Sequence, residues 1–167
     1  MRIRDEFTEF AQHERASTET HAECVRKDIT RFREGLTELA ENIGHWAKGT
    51  GIVVYCEDVA LFDDTVTQFR ENHADGCYST PVISIKNTGK SAVVKAEWLY
   101  GFGITGCASL NISGSHRHSK QIRYFLYMHI REQKSDGWTI VRDNQLRHHA
   151  EPLTEKSFFH ATGLLIM

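Results

Sequence analysis

The chain has 167 residues, 40% of them hydrophobic, and sets 20 Lys and Arg against 22 Asp and Glu for a formal net charge of −2. That is enough chain for one ordinary domain over 1–167 with a sizeable core, and the near-balance of charge excludes a global field selecting nucleic acid or an anionic membrane. The opening MRIRDEFTEF lacks the apolar stretch of a secretory signal.

No apolar run approaches the roughly 20 residues of a membrane span, so the expectation is a cytoplasmic protein. Cys24, Cys56, Cys77 and Cys107 are scattered, without C-x-x-C spacing. They read as reduced thiols rather than a zinc site or a disulfide framework.

In chain order, Ile3, Phe7 and Phe10 suggest a short N-terminal helix over 1–16. A long helix over 17–47 follows, because Val25, Ile29, Phe32, Leu36, Leu39, Ile43 and Trp46 recur at alternating spacings of four and three and so fall on one stripe. Ser17 or Thr18 can cap its start, Glu19 suits the dipole, and Gly49 with Gly51 ends it. The body over 50–149 is sheet-rich. GIVVYCED reads as a strand, and Val59, Phe62, Val66 and Phe69 predict another helix behind it.

From Thr80 the period changes to two. TPVISIKNTGKSAVVKAEWLYGF reads as two strands joined at Asn87-Thr88-Gly89-Lys90, with Ala92, Val94, Ala96, Trp98, Tyr100 and Phe102 on one face. Gly101, Gly103 and Gly106 then spell G-x-G-x-x-G. The fingerprint of a dinucleotide turn needs a helix directly after the glycines, and CASLNISGS has no helical stripe. The glycines are therefore expected to mark a bulge or sharp bend. QIRYFLYMHIRE alternates with Ile122, Tyr124, Leu126, Met128 and Ile130 on one side, and its partner GWTIVRDNQLRH, entered through the turn KSDG, buries Trp138 and Ile140. An apolar tail over 150–167, ending SFFHATGLLIM, should pack as an added strand or dock on a second subunit. His160-Ala161-Thr162 matches half of a paired phosphoesterase signature with no second half. The class is α+β, N-terminal helices packed on a curled antiparallel sheet.

Alternation sorts the candidate functional residues. Trp98, Tyr100, Tyr124, Met128, Arg142 and Asn144, with Trp138, fall on the inner face, where they make either an aromatic pocket with polar anchors or a filled core. No Asp or Glu falls there, since Glu97 and Asp143 lie on the other side, which weighs against buried acid–base chemistry. The opposite face carries Arg123, Phe125, Tyr127, His129 and Arg131, basic and aromatic residues interleaved as at an interface. Between 112 and 149 there are seven Lys and Arg against three acids. A wider basic footprint is missing, so a protein partner fits better than nucleic acid. The pairs His116/His118 and His148/His149 lack a recognised ligand spacing, and no metal or cofactor is assigned.

The order of elements, the stretch ISIKNTGKSAVVKAEW and the stretch RYFLYMHIREQKSDGWTIVRDNQLRHH resemble the nuclear transport factor two-like superfamily, which includes ketosteroid isomerases, scytalone dehydratase and SnoaL-like polyketide cyclases. The second stretch is similar to the family's final hairpin, in which a charged turn with Asp-Gly precedes Trp-x-Ile and a basic tail. The resemblance spans about residues 20–149. It implies a sheet wrapped into a cone, a pocket for a small apolar molecule inside it, and dimerisation through the outer face. Such a fold hosts enzymes, carriers and assembly subunits, so function must come from residues. The leading expectation is a non-catalytic binding protein, an inhibitor, immunity or assembly factor, engaging a protein partner or a second copy through its basic aromatic face. The alternative is a small-molecule binder, or an enzyme of isomerase, dehydratase or cyclase type, using Tyr100, Tyr124, Arg142 and a histidine.

Overall fold

A computed structural model describes residues 2–66, 76–114, 121–131 and 134–163, with the backbone alone for 2–21, 134 and 135. The helical stripe forms as expected but belongs to one helix, not two: α1 runs Arg2–Trp46 without a break. The stretch between the two expected helices, QHERASTET, contains neither Gly nor Pro, and Ser and Thr cost too little in a helix interior to stop one that is already propagating. Gly49 at φ +80 and Gly51 at φ +83 end it, in left-handed conformations that glycine adopts without penalty.

Among the described residues seven antiparallel strands follow: β1 Val53–Phe62, β2 Cys77–Asn87, β3 Lys90–Gly101, β4 Ile104–Ser113, β5 Ile122–Arg131, β6 Lys134–Arg142 and the two-residue β7 Glu151–Pro152. Each pairs only with its neighbours in sequence, in the order β1 to β7. The helix expected from Val59 onward is corrected. Val59 and Phe62 lie in β1, whose register runs from Val53 opposite Lys86 to Phe62 opposite Cys77; the three-residue spacing came from side chains on opposite faces of an edge strand. Phe69 lies outside the described residues.

Two hairpins close with two-residue turns whose central residues are both left-handed, Thr88 (φ 46) with Gly89 (φ 82), and Phe102 (φ 51) with Gly103 (φ 76). That is the turn whose twist matches the flanking strands. The glycine motif is thereby explained: Gly101 ends β3, Gly103 completes the turn, and Gly106 lets β4 approach α1. A Cβ on Gly106 would meet Phe32 Cδ1 at 3.0 Å and Met128 Cε at 3.1 Å. KSDG is not a turn. Lys134 already pairs with Arg131, and the segment lies inside β6, with Gly137 at φ +84 opposite a bulge between Met128 and Ile130.

The core lies between α1 and one face of the sheet. Val25, Ile29, Phe32, Leu36, Leu39 and Ile43 are buried against Ile83, Ile85, Val94, Leu110, Leu126, Trp138 and Ile140. Trp138 also donates from its indole nitrogen to the Gly35 carbonyl at 3.3 Å. Each fully buried aliphatic contributes roughly 1.5–3 kcal/mol. The C-terminal tail adds the short β7 to the edge of β6 and then turns into a helix where SFFHATGLLIM was expected as a strand: α2, Glu155–Ala161, starts at a capping box made by Thr154 and Ser157 and buries Phe158. The Phe158 ring lies 5.5 Å from that of Trp46, so the tail closes the core against the end of α1. Leu164 to Met167 lie outside the described residues.

Leu36 is fully buried, so Leu36→Ala should cost about 2–5 kcal/mol of unfolding free energy in urea titration, whereas Glu34→Ala, on the exposed side of the same helix, should leave the midpoint within error.

Candidate functional site

The inner-face candidates separate into several places. A bulge between Ala96 and Trp98 resets the alternation of β3, so that Leu99 becomes the buried core residue. Trp98 turns half-buried toward the hairpin tip, with its ring 6.2 Å from that of Phe102. Tyr100 donates its hydroxyl to Asp28 Oδ2 of α1 at 2.6 Å, and Asp28 Oδ1 takes Arg31 at 2.9 Å. Tyr124 and Arg142 stand opposite each other in the β5–β6 register and line a hollow of about 380 Å³ with His149, Glu151 and His160. Met128 is buried, and Asn144 is exposed in the turn after β6.

The expectation that no carboxyl group reaches the interior is overturned by Asp28 and by Asp63, neither of which lies on the strands from which alternation was read. Asp63, just beyond β1, is 2% exposed. Its Oδ1 accepts from the Thr65 amide at 2.9 Å and the Thr65 hydroxyl at 2.6 Å. Its Oδ2 accepts from the Tyr78 hydroxyl at 2.5 Å and the Leu99 amide at 2.8 Å. Burial, then the bond to Asp63, drives the Tyr78 hydroxyl well above its ordinary range, and burial with the bond to Asp28 does the same to Tyr100. Both tyrosines are thus held protonated as donors, and both carboxyl groups are committed to binding the fold together.

The outer face carries a connected ladder. Arg123 pairs with Glu97 Oε1 at 3.0 Å, and its guanidinium lies 4.8 Å over the Phe125 ring. Phe125 and Tyr127 stack with centroids 6.4 Å apart at 24°. Glu97 also accepts from the Ser109 hydroxyl at 2.6 Å, and Ser109 accepts from Asn111 Nδ2 at 3.0 Å. Among the described residues, Arg123 Nε is buried without a hydrogen-bond partner. Alternation along single strands puts Arg123, Phe125, Tyr127 and Glu97 on this face, but it does not reveal Ser109 and Asn111 as their companions. The signal was there: Ser109 and Asn111 pair with Phe125 and Arg123 in the β4–β5 register, which a one-strand alternation does not examine.

His129, exposed, is 3.1 Å from the Thr139 hydroxyl, and Arg131 is exposed at the strand end. After β6 the chain makes a single tight turn over Arg147–His149. Arg147 donates to the Phe102 carbonyl at the β3–β4 tip. Between this segment and the sheet lies a groove of about 530 Å³ lined by Tyr127, His129, Thr139 and Arg147 among others.

The rings of His148 and His149 lie 4.2 Å apart and are exposed; His116 and His118 lie outside the described residues. Among the described residues no group of three or more His, Cys, Asp or Glu could hold a metal ion, and no helix is long and apolar enough to cross a membrane.

Two outcomes follow from these environments. Asp63→Ala strands the Tyr78 hydroxyl and the Leu99 amide and should lower stability by about 2–4 kcal/mol, with Asp63→Asn intermediate, as read by thermal denaturation. Burial, then Glu97, pushes the Cys107 thiol up to about 12, and Cys24, Cys56 and Cys77 are exposed. Because the thiolate is the reacting form, iodoacetamide at pH 8 should label those three in the folded protein and Cys107 only after denaturation, as mass spectrometry of the peptides would show.

Comparison of the chain with family models, with curated proteins and with solved structures finds no match.

Proposed function

We propose that this is a non-catalytic binding protein that holds a protein partner on the outer face of its sheet, as an inhibitor, immunity or assembly factor does. The observation that carries the reading is the Arg123–Phe125–Tyr127 ladder. Its rings are stacked and half-buried, and its guanidinium is fixed between Glu97 and Phe125. Pre-ordered aromatic and arginine side chains lose little conformational entropy on docking, which is why they dominate the energetics of interfaces.

The engagement of Asp28 and Asp63 inside the fold favours binding over acid–base catalysis, since a general base needs a group free to take a proton. In this reading the sheet curls about α1 in the manner of the nuclear transport factor two-like superfamily, the partner is a second copy or another cytoplasmic protein, and the outer face is where it docks.

Native mass spectrometry of the protein purified from its own host tests this. The expected result is a stoichiometric second polypeptide, lost in the Phe125→Ser/Tyr127→Ala variant and kept in Tyr124→Phe. Removing an aromatic anchor costs about 2 kcal/mol or more, enough to release a micromolar partner. A bare wild-type monomer, or equal loss in Tyr124→Phe, overturns the reading.

A further inference from the structure

The groove at the end of the sheet has a chemistry of its own, distinct from the ladder beside it. Ile104 and Ile130 supply apolar wall, Tyr127 and Thr139 supply hydroxyls, and among the described residues no carboxyl group lines it. Among the described residues that line it, the one permanent charge is the guanidinium of Arg147. That group carries five N–H donors; one is committed to the Phe102 carbonyl, and among the described residues no carboxylate pairs with it. The field of Arg147 reaches the groove wall: burial, then Cys107, raises the Tyr127 hydroxyl above its ordinary range, and Arg147 offsets part of that rise. At about 530 Å³ the space is in the range of small-molecule sites, where an apolar lining sets affinity and a few polar groups fix orientation.

We propose that this groove binds a small amphipathic anion, a carboxylate with a medium-length apolar body, its head group on Arg147 and its body along Ile104 and Ile130. A guanidinium matches a carboxylate in a fork of two parallel hydrogen bonds. The hydroxyl of Thr139, already within hydrogen-bonding distance of His129, stands beside the head-group position. The bond from Arg147 to the hairpin tip holds the guanidinium in place before a ligand arrives, which lowers the ordering cost of binding.

Isothermal titration of the wild-type protein with decanoate, and with decyltrimethylammonium as the cation of matched chain, tests the site. Decanoate should bind with single-site stoichiometry and the cation should not. Arg147→Gln should weaken decanoate by about tenfold or more, with Arg147→Lys between the two. Because Arg147→Gln also removes the contact to the hairpin tip, Ile130→Glu supplies a second reading. Ile130 is 37% exposed, so that variant keeps the fold and the Arg147 contact while placing a negative charge in the groove; it should abolish binding, and Ile130→Gln should not. Equal binding of anion and cation, unchanged affinity in both Arg147→Gln and Ile130→Glu, or no decanoate binding at millimolar concentration overturns the proposal. A protein partner on the ladder is read instead by Phe125→Ser alone, a residue that does not line the groove, so each hypothesis can fail without the other.

Discussion

An antiparallel sheet that does not close has two faces, and a single long helix covers only one of them. Most of this structure answers that constraint. The α1 stripe from Val25 to Ile43 meets the inner face with aliphatic and aromatic side chains, and α2 fills the remaining corner with Phe158 against Trp46. Among the described residues no helix covers the outer face. It is covered by its own side chains, with Arg123 laid over Phe125, Phe125 stacked on Tyr127, and Glu97 tying Arg123 to Ser109. The segment after β6 adds a partial cover by fastening Arg147 to the β3–β4 tip. A face made this way keeps Ser109 and Cys107 out of water and yet presents ordered rings and a guanidinium at its surface, the composition from which interface cores are built.

The same economy of polar groups appears at Asp63. A carboxyl group that is 2% exposed would be costly to bury alone. Four donors from three different segments converge on its two oxygens, and the result joins the end of β1, the start of β2 and the bulged part of β3. The bulge at Ala96/Trp98 and this knot belong together. Leu99 donates its amide to Asp63 and buries its side chain in the core, which sets the direction in which Trp98 and Tyr100 leave the strand.

The inner stripe of α1, the Asn87–Lys90 turn and the alternation of β5 were legible in the sequence because each is a local pattern with a single physical solution. What was not legible depends on distance. Asp28 and Tyr100 are 72 positions apart, and Asp63 and Leu99 are 36 apart, so no window along the chain displays either pair. The misreading of Val59 and Phe62 as helical has a different origin. An edge strand with one solvated face and few core contacts places apolar residues on both sides, and Val59 and Phe62 then imitate a helical period. The candidate site was half-legible for the same reason: one strand of the ladder, Arg123 to Tyr127, follows from alternation, while Ser109 and Asn111 enter only through register, and the groove needs the return of Arg147 from beyond β6.

Every strand pairs with its immediate neighbours in sequence, so the sheet can grow one hairpin at a time as the chain leaves the ribosome, each step closing only a short loop. The helix cannot mature in the same way. It is synthesised first, and its apolar stripe meets its last partners only when β6 appears; the bond from Trp138 to Gly35 spans 103 positions. Until β6 emerges the chain therefore carries an amphipathic helix whose stripe is covered only in part, the kind of surface on which nascent-chain chaperones act.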